Sequence, residues 1–109
     1  MPKQSYHIVM RTPIGERYGT MTAVWENELL DGVIEILGHT EAFHGTVDEN
    51  GNCRIEGQLI SLKRIIPFMA MGQISTTMLQ LSLQGERNIF EITGVSYKQD
   101  GGNEYEKIL

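Results

Sequence analysis

Met78-Leu79-Gln80-Leu81-Ser82-Leu83-Gln84 alternates leucine with polar residues without a break. In an extended chain successive side chains point to opposite faces, so this stretch has one apolar face and one wet face, the signature of a half-buried antiparallel strand. The same period of two runs from Asn52 to Leu59, where Cys53, Ile55 and Leu59 share one face and Arg54, Glu56 and Gln58 the other. Working outward, alternation predicts further strands near 5–11, 17–25, 29–37, 40–47, 70–76 and 88–97, about eight in all, and helical periodicity is hard to find. Turn residues separate these runs: Thr12-Pro13-Ile14-Gly15, Glu26-Asn27, Gly38, Asp48-Glu49-Asn50-Gly51 and Gly85-Glu86-Arg87-Asn88. Links this short join antiparallel neighbours, because parallel pairing needs crossovers of a dozen or more residues. The chain reads as an all-β meander. Ser61 to Phe68 breaks the pattern, having neither clean alternation nor turn residues before Pro67, and is expected to form a short cover segment or helical turn.

Glycine placement says something about shape. Gly19, Gly32, Gly45, Gly57, Gly72 and Gly94 each share their phase with apolar neighbours, as Gly57 does with Ile55 and Leu59. Glycine inside a strand marks a bulge, a tight bend or a close approach of another backbone. Repeated on the inward face, it suits a sheet that coils until it closes, which predicts a single small antiparallel barrel. Setting Arg17–Thr22 against Ala70–Ser75, and Ala42–Val47 against Glu91–Ser96, also raises an internal pseudo-repeat. At this level the chain resembles calycin-like barrels of the avidin or lipocalin type, over roughly residues 5 to 97. The resemblance is one of architecture and implies a barrel with one small interior. Lipocalins carry a Gly-x-Trp near the first strand, whereas Trp25 ends the second and follows Ala23 and Val24; no binding residue is carried over.

A chain of 109 residues accommodates one domain. Residues 1–97 are expected to form the barrel and 98–109, opening with Gln99-Asp100-Gly101-Gly102 after Lys98, a polar and mobile tail. Fourteen acidic against nine basic residues give a net charge of -5, the wrong sign for a surface that binds phosphate backbones, so no nucleic-acid partner is expected. Met1 to His7 lacks the apolar core of a secretory signal, and the most apolar stretch, Ile65 to Met71, is interrupted by Pro67 and far short of the roughly 20 residues of a spanning helix. The lone Cys53 permits no internal disulfide. These features predict a cytoplasmic protein without a membrane partner.

Candidate chemistry is sparse. His39 and His44 are five apart and face opposite sides of one strand, and His7 is remote in sequence, so no metal site is expected. Cys53 shares the buried phase and reads as a small core side chain. Asp31 and Glu35 share a face but stand about 13 Å apart, too far to cooperate as a carboxylate pair. An enzyme built from His7, His39 or His44 with Asp31, Glu35 or Glu41 would lack a nucleophile, base and orienter placed by spacing. No catalytic residue and no cofactor are assigned. Trp25 would cap one end of the core or stack on a ligand at the barrel mouth.

Two functional readings remain. In the first, inward glycines leave volume lined by Met21, Trp25, Ile34, Phe43, Ile55, Leu81 and Phe90, and the barrel is a non-catalytic binding module for a small apolar or amphipathic ligand. In the second, Ile65, Ile66, Phe68, Met69 and Met71 form an outer apolar patch that mediates protein–protein contacts in a structural or regulatory role. Such a patch, extended by Val24, Val33, Leu37, Ile60, Val95 and Tyr97, predicts a homo-oligomer.

Overall fold

The computed structural model describes residues 3–61, 64–86 and 88–97. Eight strands follow one another: β1 (Lys3–Thr12), β2 (Gly15–Glu26), β3 (Leu29–Ile36), β4 (His39–Val47), β5 (Asn52–Ser61), β6 (Arg64–Ile74), β7 (Met78–Gln84) and β8 (Ile89–Tyr97). Each pairs antiparallel with its neighbours in sequence, and β1 closes on β8 from Ser5↔Tyr97 to Arg11↔Glu91, giving a closed meander barrel. The all-β class, the strand number and the barrel are as the alternation and the inward glycines indicate. No helix long and apolar enough to cross a membrane occurs among the described residues. The expected tail, 98–109, lies outside the described residues.

The leucine stretch shows why these residues form these elements. Leu79, Leu81 and Leu83 are at most 2% exposed while Met78, Gln80, Ser82 and Gln84 face solvent, and burying each leucine contributes about 2 kcal/mol that a one-residue slip of register would forfeit. The same alternation in the other strands brings Tyr6, Ile8, Ile34, Phe43, Ile55 and Ile92 into one continuous core. Tyr6 brings a polar tip into this core, and its hydroxyl donates to the Ser75 carbonyl oxygen at 2.5 Å. Ser5, the buried polar residue of β1, shares a hydrogen bond with Thr22 at 3.1 Å.

Close backbone approach explains the glycines best at Gly45 and Gly72. A Cβ at Gly45 would overlap the carbonyl oxygen of Arg54 on β5, and one at Gly72 that of Gln80 on β7. The sheet is coiled so tightly there that only a residue without a side chain fits.

The expectation for Ser61 to Phe68 is corrected. Its described residues are neither cover nor helix: Ser61 ends β5 and Arg64 to Phe68 begin β6, paired from Ser61↔Arg64 to Gly57↔Phe68, while residues 62 and 63 lie outside the described residues. Pro67 is tolerated because the recorded β6–β7 pairing begins only at Met69↔Gln84, so its missing N–H takes no bond from β7. Pairing of β5 to β4 likewise stops at Phe43↔Gly57. The outer half of the β5–β6 hairpin therefore overhangs the barrel. A second overhang faces it, because β2 joins β3 only from Thr20↔Glu35 and leaves Gly15 to Gly19 paired with β1 alone. Both hairpins project from the end that carries the β1–β2, β3–β4 and β7–β8 links, called the upper end below; the β2–β3, β4–β5 and β6–β7 links lie at the lower end.

Candidate functional site

Between the two overhanging hairpins lies an open recess of about 700 Å³. The β1–β2 hairpin supplies Met10, Thr12, Pro13, Ile14 and Arg17; the β5–β6 hairpin supplies Leu59 and Ile66; Leu37, Asn88 and Phe90 complete the wall. Strand phase explains the apolar lining. Met10, Leu59, Ile66 and Phe90 are the upper members of inward-facing rows; Leu59 and Ile66 lie past the point where β5 leaves β4 and β6 has not yet met β7, so the core's apolar lining continues into the recess. Ile14 sits at a hairpin tip and is 81% exposed, a large apolar side chain standing in water on the rim of an apolar recess. Leu37 has a backbone φ of +58° and Gly38 one of +81°. These are the angles of a two-residue hairpin turn with both residues left-handed, and they keep Leu37 half-buried at the recess wall rather than out on a strand face.

Charge in this region is mostly compensated. Arg11 pairs with Glu16 at 3.6 Å and Arg64 with Glu86 at 2.8 Å, all four side chains well exposed. Tyr18 donates to the same Glu16 carboxylate at 2.7 Å, and that hydrogen bond raises the Tyr18 pKa. Arg17 differs. It lies on the inward phase of β2, two residues before Gly19, it is half-buried, and its guanidinium donates to the Glu16 backbone carbonyl at 3.0 Å.

The residues singled out in the sequence fall in three places. Met21, Ile34, Phe43, Ile55 and Leu81 are between 1 and 3% exposed and belong to the packed core, while Trp25 is half-buried against that core toward the lower end. Of the seven candidate ligand residues, Phe90 alone lines the recess. Among the five candidate patch residues, Ile65 and Met71 are 59% and 55% exposed on the outer face of β6 and Met69 is half-buried beside them. Phe68 is instead turned inward at 7% exposure, against the position of Gly57, and Ile66 joins the recess. Alternation along β6 imposes this division, since residues one apart cannot share a face.

Sequence reasoning passed over Arg17, Ile14, Met10 and Leu59 as site residues, and it assigned Leu37 to the outer patch, whereas Leu37 is half-buried in the recess wall. Two signals were available: a basic residue in the inward phase near a strand end, and an isoleucine inside a Pro-Ile-Gly turn.

Elsewhere the polar groups do structural work. Cys53 is buried, and burial pushes its thiol up to about 11. Asp48 at the lower end accepts from the Asn50 and Asn52 backbone N–H groups at 2.8 and 2.9 Å and from the Asn52 side chain at 3.1 Å; these bonds, the Asn52 side chain first, hold its carboxyl below the usual range. Among the described residues no group of three or more His, Cys, Asp or Glu side chains could hold a metal ion. His7 stacks on Tyr97 with ring centroids 4.0 Å apart on the outer surface, and His39 and His44 are exposed on β4. Comparison of the chain with protein-family models, with curated proteins and with solved structures finds no match.

Proposed function

We propose that this chain is a non-catalytic, calycin-like binding module that takes one small apolar or amphipathic ligand in the recess between its two overhanging hairpins. The observation that carries the proposal is the recess itself. Its volume, about 700 Å³, falls within the roughly 300–1,000 Å³ typical of small-molecule sites. Its wall is formed mainly by Met10, Pro13, Ile14, Leu37, Leu59, Ile66 and Phe90, with only a few polar groups to fix orientation. A ligand seated there would remove Ile14 from water, which gives the exposed hairpin tip a purpose. The cytoplasm is the location we favour, because a lone buried thiol needs no oxidising compartment.

Native mass spectrometry of the purified protein tests this. The expected result is extra mass that leaves on denaturation and is absent from an Ile14→Asp variant, whose fold should be intact because that side chain is 81% exposed. Extra mass that persists in Ile14→Asp would place the ligand elsewhere. A second reading rests on Ile65 and Met71, exposed together on the outer face of β6: an interaction module that associates through this strip, as a homo-oligomer. A defined oligomer carrying no extra mass would favour it over the ligand-binding one.

A further inference from the structure

We infer that the ligand of this recess is an organic anion, an apolar body ending in an acidic head, and that Arg17 selects it by binding the head. The inference rests on the proposed binding role of the recess and adds the chemical class. Three arginines, Arg11, Arg17 and Arg64, stand on the upper halves of the two hairpins that frame the opening. Glu16 takes Arg11 and Glu86 takes Arg64. Arg17 has no carboxylate partner among the described residues and spends one donor on the neighbouring backbone carbonyl. A guanidinium has five N–H donors in a planar fork, so Arg17 keeps donors free for a carboxylate, sulfonate or phosphate. Because it is half-buried beside Met10, Ile14 and other apolar groups, an anion reaching it would be less screened by water than at an open surface.

Charge placement along the barrel agrees independently. The lower end bears Glu26, Glu28, Asp48 and Glu49 against Arg54, whereas the upper end bears Arg11, Arg17 and Arg64 against Glu16 and Glu86. A chain with a net charge of -5 thus repels anions most at the end away from the recess. The apolar wall opposite Arg17, formed by Leu59, Ile66 and Phe90, would take the body of the same molecule.

Isothermal titration of three ten-carbon probes against the full chain tests the inference: decanoate, decanol and decyltrimethylammonium. Decanoate should bind about tenfold or more tightly than decanol, the equivalent of one charge-assisted hydrogen bond in a partly dry site, and the cation should bind weakest. Arg17→Gln should abolish the preference of the recess for decanoate over decanol, and Arg17→Lys should restore part of the difference. Equal binding of decanoate and decanol by the unaltered chain would overturn the anion inference while leaving the recess as an apolar site. A preference for decanoate that survives Arg17→Gln would overturn the role of Arg17. Failure of all three probes to bind would overturn the inference together with the proposed function.

Discussion

Tyr6 and Cys53 show how a residue's surroundings set its chemistry. Both are buried, Tyr6 completely, and both are pushed toward the neutral form: the Tyr6 hydroxyl to about 12, by burial and then by the proximity of Cys53, and the Cys53 thiol to about 11, by burial above all. A raised folded-state pKa means the native chain holds its proton where the unfolded chain has lost it, so the linkage has a definite sign. Stability is fully present below the unfolded values near 9 and 10 and is lost as pH rises through 11 and 12. The melting temperature should therefore hold steady to about pH 9 and fall above it. Tyr6→Phe and Cys53→Ala should each start from a lower melting temperature and decline less steeply. A thermal scan series from pH 7 to pH 11 checks this, and parallel slopes in all three proteins would remove these two groups as the cause. Cys53 was legible in the sequence as a core side chain because its strand alternates cleanly. Arg17 was not, because a charged residue in the inward phase looks like a strand end until the two hairpins are seen to overhang.

Strands and hairpins were legible to the extent that one face is polar. β7 reads from its letters alone, and every expected run except 70–76 falls on one strand with ends within a few residues. The first half of β6 did not read as strand, since Ile65-Ile66-Pro67-Phe68-Met69-Ala70-Met71 is apolar on both faces and alternation has no contrast to show. Its outer face carries Ile65, Met69 and Met71, and Pro67 removes the donor that usually argues for a strand. Two consequences were therefore hidden: the inward turn of Phe68 and the upper recess that the longer hairpin creates. The inward phase of the glycines, by contrast, was legible, and the packing ranks them. At Gly45 a Cβ would strike the Arg54 carbonyl, which the β4–β5 ladder holds in place, whereas at Gly57 it would meet the Phe68 and Phe43 side chains at 3.1 to 3.2 Å. The Phe68 ring can tilt and the Phe43 Cβ needs to give by only a few tenths of an ångström, but a paired backbone in overlap must leave its register. Gly45→Ala should cost about 3 kcal/mol, the upper range for overpacking, and Gly57→Ala about 1 kcal/mol or less. Urea denaturation measures both; equal losses would mean the backbone yields as easily as the side chains.

At the scale of the whole molecule, seven of the eight seams join strands adjacent in sequence, and one, β1–β8, joins the two ends. Only that seam converts a meander sheet into a barrel, and it removes the two full-length edges that an open sheet would offer to other chains, leaving only the short unpaired runs of the overhanging hairpins. It also closes the longest loop in the fold, so its chain-entropy cost is the largest of the eight. A cross-link placed on it should stabilise the fold mainly by constraining the unfolded chain. His7 and Val95 are register partners there, both on the outer face and both exposed, so replacing them empties no part of the core. Directly paired residues stand roughly 4.5–5.5 Å apart at Cα, which is within the range a disulfide spans. In a His7→Cys, Val95→Cys protein made on a Cys53→Ala background, oxidation should form the bridge without denaturant. For a loop of roughly 90 residues the gain of the oxidised over the reduced form should approach 4 kcal/mol. Because oxidised and reduced forms share the same substitutions, the lost stacking of His7 on Tyr97 cancels in the comparison. Failure of the native protein to form the bridge, with ready formation only after unfolding, would mean that the two ends do not meet and that the sheet is open at this seam.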